Sequence, residues 1–176
     1  MATESLAHVA VLAVASVAAF TDVRGGKIPN WLTLPAIGLA PIVHGVVDGF
    51  GGLLGSLVGA LACSVVPLIL YYLKAMAGGD VKVFVAIGAI GGVYVGFETQ
   101  FLAVAIAAIY AIGQLVWSGK LLRSLANVFF IIFNPVLPRR RRRKLAPELL
   151  HRIRLGAAVA LGAAIAVAGH HRWLIG

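Results

Sequence analysis

The sequence predicts an all-α, polytopic membrane protein, and three observations carry that prediction. Of 176 residues, 61% are hydrophobic and only 12% are charged, about half of the roughly 25% charged content of soluble domains. The apolar residues gather into runs of the length that spans a hydrocarbon core. The cations, which bring the formal net charge to +9, stand between those runs. A strongly basic chain can also bind nucleic acid, but a polytopic protein places Lys and Arg on its cytoplasmic loops in any case. The lipid bilayer is therefore the expected partner, and no nucleic acid is expected.

Six segments qualify as transmembrane helices: residues 5–20, 31–47, 51–73, 81–95, 101–117 and 155–173. The first has neither a basic flank before it nor an A-x-A ending, so it reads as a permanent helix and not as a cleaved signal. Asp48-Gly49-Phe50 is the expected turn between the second and third, and residues 96–100 the expected turn between the fourth and fifth. Gly51, Gly55 and Gly59 on the third span, and Gly88, Gly92 and Gly96 on the fourth, recur every fourth residue. That spacing predicts small-residue faces for close helix packing. Trp31, Trp117 and Trp173 fall at span ends, where interfacial anchors belong.

Orientation follows the cations. With the N-terminus outside, one face receives Arg24, Lys27, Lys74, Lys82, Lys120, Arg123, the run from Arg139 to Lys144, Arg152 and Arg154, leaving Arg172 opposite. Residues 121–137 could extend into a further span, but crossing there would export five consecutive arginines. The better expectation is a long basic cytoplasmic loop between helices 5 and 6, lying against anionic headgroups.

That orientation places two acids together on the cytoplasmic side, at the edges of their spans: Asp22 after the first and Asp80 before the fourth. An acid at the margin of a spanning segment is expensive to keep and marks function by default. Taken singly, Asp22 reads as a loop acid paired with Arg24 or Lys27, Asp80 as a helix cap, and Asn30 as the cap of the second helix. Taken together, two carboxylates at one depth can share a proton, one accepting from water while the other donates to a peptide carbonyl. Gly78 and Gly79 beside Asp80 offer bare backbone that an extended substrate could approach. The helix directions favour Asp22, at a carbonyl end, as the protonated partner and Asp80, at an amide end, as the ionised one.

Cys63 stands alone, so no disulfide or zinc motif is expected, and His8, His44, His170 and His171 fall on the far face. No metal or cofactor is called for. Two other classes fit the same acids: a noncatalytic membrane component that binds pilins or assembly proteins, and a small transporter using the acids as a proton relay.

The stretches Thr21-Asp22-Val23-Arg24, Lys27-Ile28-Pro29-Asn30 and Ala77-Gly78-Gly79-Asp80-Val81-Lys82 resemble the two motifs of the type IV prepilin peptidases, membrane aspartic proteases with a G-x-G-D-x-K signature. Leu155-Gly156-Ala157-Ala158 and the residues after it are similar to the family's last-helix pattern. Ala77 departs from the motif, standing where the family has its first glycine. The size is most like the short peptidases of tight-adherence (Flp) pilus systems, which implies no accompanying methyltransferase. The resemblance implies one membrane-embedded peptidase domain over residues 1–176, with Asp22 and Asp80 catalytic and Gly78, Gly79 and Lys82 in support. It further implies a prepilin or pseudopilin as substrate, cut after a glycine at the inner edge of the bacterial cytoplasmic membrane.

Overall fold

In a computed structural model, which describes residues 2–73, 76–119 and 155–175, five helices follow one another: α1 (Ala2–Gly25), α2 (Asn30–Val47), α3 (Gly49–Tyr72), α4 (Gly78–Trp117) and α5 (Leu155–Ile175). No strand occurs among the described residues. α1 to α4 are each long and apolar enough to cross a membrane, and α5 adds a shorter apolar helix. The expected loop against the headgroups, residues 121–137 and the Arg139 to Lys144 run, lies outside the described residues. The chain divides into two compact units, residues 1–106 with 154–176, and residues 107–153. In the second, the described part is the helix running on to Trp117 and a turn at Ser118 and Gly119.

α1 continues beyond the apolar run. Nothing in Thr21-Asp22-Val23-Arg24 breaks a helix, so the ladder persists until Gly26 takes φ 61°, with its N–H on the Asp22 carbonyl at 2.8 Å. Asp22 thus occupies the last turns of α1 and does not begin the loop, which shrinks to residues 26–29. Pro29 is extended (φ −75°, ψ 142°) at the cap position of α2, and Asn30 is the first helical residue. Its side chain caps nothing, contrary to expectation.

α2 and α3 form the expected hairpin around Asp48 and Gly49 (φ 70°). Gly52 permits the tight approach, since a Cβ there would lie 2.5 Å from the His44 carbonyl oxygen.

α4 corrects the predicted fourth and fifth spans. Residues 96–100 are helical; the chain turns instead at Gly92 (φ 76°, ψ −177°), a conformation essentially restricted to glycine. A Cβ on Gly96 would lie 3.0 Å from the Gly88 Cα, although eight residues along a straight helix span about 12 Å. The chain therefore doubles back, dividing α4 into a first arm (78–91) and a second arm (93–117). Helix ends leave carbonyls without partners, and in hydrocarbon they must be satisfied from within the protein. Ser56 Oγ donates to the Ala89 carbonyl at 2.7 Å, and His44 Nε2 to that of Ile90 at 3.0 Å. Gln100 Nε2 donates to the Cys63 carbonyl at 2.7 Å.

The expected glycine faces are only half used for packing. Gly59, Gly88 and Gly96 interlock around Cys63, while Gly51 and Gly55 have nothing within 4 Å of a would-be Cβ. The core sits on the first arm, whose Val83, Phe84, Ile87 and Ala89 are fully buried against Val11, Ala15 and Ala18 of α1 and Val159 and Ala163 of α5. The large apolar side chains left exposed, among them Leu39, Ile42, Val46 and Leu61, suit a lipid surround. Trp31 and Trp117 are exposed at helix termini, as anchors would be.

Candidate active site

The first arm of α4 runs antiparallel to α1. At its far end a Cβ on Gly91 would lie 3.2 Å from Val11 Cγ2. From that contact Asp22 lies eleven residues along α1 and Asp80 eleven residues back along the arm, each a rise of about 16 Å toward the same end. Both acids therefore lie toward the same end of this helix pair, where a Cβ on Gly79 would also meet Ile28, just past α1, at 3.3 Å. Both are buried, 8% exposed for Asp22 and 7% for Asp80, although carboxyl groups are rarely buried without partners.

Asp22 meets a helix far along the chain, where its composition gives no sign of the contact. The Gly156 N–H, in the first turn of α5, donates to Asp22 Oδ2 at 3.0 Å in a buried bond. A Cβ on Gly156 would stand 2.7 Å from Asp22 Cβ and 3.1 Å from Ala19 Cα, so no side chain fits between α5 and the acid. Arg24, expected as the acid's partner, instead lies over the Phe20 ring, 4.8 Å from its centroid. Asp22 thus sits between the carbonyl end of α1 and the amide end of α5, and helix direction alone no longer separates the roles of the two acids.

Asp80 is the third residue of α4, not its cap. Its N–H and that of Val81 point to the Ala77 carbonyl at 3.1 and 3.4 Å, so Ala77 starts the helix through its main chain. Two residues on, Lys82 Nζ donates to Asn30 Oδ1 at 2.8 Å, tying the Asp80 arm to the amino end of α2. The two glycines before Asp80 are half-buried, each with one side chain close by. A Cβ on Gly79 would be 3.3 Å from Ile28 Cβ, and one on Gly78 would be 3.4 Å from Tyr71 Cε2. Ile28 and Tyr71 thus narrow the approach to the bare backbone expected to receive a substrate.

One end of the bundle therefore gathers Asp22, the 26–29 loop, Asn30, Gly78, Gly79, Asp80, Lys82 and Gly156. The described histidine side chains stand elsewhere: the His8 and His170 rings meet edge-on at 5.3 Å, and His44 lies 3.2 Å from Asp48 at the α2–α3 turn. Among the described residues no three His, Cys, Asp or Glu side chains cluster as a metal site. Gly156, Ile28 and Tyr71 escaped the sequence reading as site residues. For Gly156 the one signal was the small-residue pattern opening the last helix, which carries no hint of what it faces.

The model of the type IV leader peptidase family matches residues 9–112, a stretch that holds both acids. Over 108 residues the chain is 32% identical to the prepilin leader peptidase/N-methyltransferase of Bacillus subtilis (strain 168), an alignment covering 60% of this chain and 42% of that protein. The chain thus spans less than half of that relative's length. No solved structure matches it.

Proposed function

We propose, starting from the fact that this chain belongs to the type IV leader peptidase family, that it is a membrane aspartic endopeptidase that removes the leader of a prepilin or pseudopilin. The observation carrying this reading is the pair of buried acids toward one end of antiparallel helices, within the segment that defines the family. Asp22 and Asp80 are the catalytic residues, with Gly78, Gly79 and Lys82 in support. One carboxylate takes a proton from water, whose oxygen adds to the scissile carbonyl carbon. The other carboxylic acid gives its proton to the carbonyl oxygen. Collapse of the tetrahedral species breaks the C–N bond as a proton passes to the departing nitrogen, and the pair returns to sharing one proton.

The chain makes six passes in direction, the two arms of α4 counting as a short outward and a returning one. The N-terminus is outside and the acids face the cytoplasm of a bacterial cell, since this orientation collects nearly all cations on one side. There the leader and the start of the substrate's hydrophobic helix meet the inner membrane edge, and the cut falls after a glycine. Ile28 and Tyr71 move off the Gly78-Gly79 backbone to admit an extended chain, because a helical substrate keeps its carbonyls in internal hydrogen bonds. Ala77 contributes a main-chain carbonyl that a glycine would supply equally well, which weighs against a merely binding role.

Co-expression with a prepilin from the same genome tests the reading. Leader removal is followed by gel shift beside Asp22→Asn and Asp80→Asn, which keep shape but cannot exchange the proton. Cleavage by the parent and by neither variant is expected. Cleavage surviving in both, with stable insertion, would end the dyad assignment.

A further inference from the structure

We infer that Gly156, outside the segment matched by the family model, is a positioning residue for Asp22, and that the first turn of α5 is the third wall of the active site. The inference rests on the two-aspartate reading above.

Three observations carry it. The Gly156 N–H is bonded to Asp22 Oδ2 across 134 residues of sequence, in a buried setting. Amides in the first turn of a helix have no partner within the helix, so this donor is available for a ligand, and here the ligand is a carboxyl oxygen. Residue 156 must also be glycine for the bond to form, since a Cβ would fall 2.7 Å from Asp22 Cβ and 2.9 Å from Oδ2.

The chemistry follows from the geometry. A carboxyl group whose rotation is unrestrained presents its two oxygens interchangeably and loses alignment with water and with the partner acid. With Oδ2 held by the α5 amide, Oδ1 is the oxygen left for the shared proton and the attacking water. Among the described residues no other hydrogen bond to the Asp22 carboxyl is formed. α5 thereby sets which oxygen reacts, although none of its own side chains takes part in the chemistry. Neighbouring packing supports the same close approach: Gly162 lies about 1.7 turns further on, where a Cβ would be 2.9 Å from the Thr99 carbonyl oxygen.

The test uses the full chain in lipid nanodiscs with the same prepilin. Gly156→Ala pushes the amide back by about 1 Å, from a 2.7 Å clash with Asp22 Cβ to an ordinary contact. A fall in kcat on the order of 100-fold is expected, the scale of a misplacement of about 1 Å, with KM little changed and the pH profile of kcat displaced. Parental kcat with an unmoved profile would overturn the inference. Should Gly156→Ala fail to insert, the unmodified chain decides. With 15N-glycine labelling, the Gly156 amide proton is expected to titrate with the limb of the cleavage profile that Asp22 controls. An amide indifferent to pH across that limb would also overturn it. Failure of the dyad reading is told apart by Asp22→Asn, whose retained cleavage would remove the premise whatever Gly156→Ala does.

Discussion

Replacing Gly92 with alanine separates the observed turn from the one the hydropathy pattern implies. At φ 76° and ψ −177° the residue lies in a region essentially closed to side-chain-bearing residues, where strain is of order 1–3 kcal/mol. A Cβ on Gly92 meets nothing within 4 Å, so the penalty is one of backbone conformation and not of crowding. Gly92→Ala should therefore lower unfolding free energy by about 1–3 kcal/mol, and no trimming of a neighbour should restore it. Gly96→Ala should cost a similar amount, about 1–3 kcal/mol, for the opposite reason. Its new methyl meets Cys63 Sγ and comes within 3.0 Å of Gly88 Cα. Adding Cys63→Ala should recover part of that loss, with a coupling of about 0.5–3 kcal/mol, and none of the Gly92→Ala loss. Equilibrium unfolding in mixed micelles of increasing SDS fraction measures the parent, the three single variants and the two double variants. A Gly92→Ala variant within about 0.5 kcal/mol of the parent, or one rescued by Cys63→Ala, would refute the turn.

Two further predictions concern the site. Lys82→Met and Asn30→Ala should each lower stability by less than about 1 kcal/mol, because their bond is partly exposed and screened. A double-mutant cycle should return a non-zero coupling, and additivity would show that the two side chains do not engage. Ala77→Gly should change cleavage less than about threefold, because Ala77 acts through its carbonyl; a glycine costs about 1 kcal/mol at most in backbone freedom. A large gain in initial cleavage rate would instead show that the methyl obstructs the substrate.

What could be read in advance follows from which forces leave marks in composition. α2 and α3 match their predicted spans to within two residues at either end, because hydropathy and turn chemistry agree around Asp48 and Gly49. The end of α1 was missed because the apolar run stops at Phe20 while the backbone ladder continues to Gly25. Hydropathy reports where lipid ends, and hydrogen bonds report where a helix ends. The turn in α4 was misplaced because Gly91 and Gly92 sit inside an apolar stretch, whereas Glu98-Thr99-Gln100 looks like a loop. In the fold Thr99 and Gln100 are buried, and Gln100 is bonded to α3. The every-fourth-residue glycine spacing hid the turn by offering an adequate packing role for Gly92. At the site, both acids and Lys82 stood out as charges at span margins. Gly156 could not, since a glycine within a small-residue helix pattern reads as packing and does not tell which acid its amide meets.

The turn at Gly92 changes what Asp80 is referenced to. Its arm is 14 residues long, about 21 Å, against a hydrocarbon thickness near 30 Å. α1 and α3, at 24 residues each, are long enough to register both membrane surfaces, and they tilt or straighten as a bilayer thins or thickens. The arm hangs between them from Ser56 and His44 at one end and from Asn30 at the other. Like an instrument on gimbals, the acid keeps its bearing relative to the surrounding helices while the frame adjusts to the lipid.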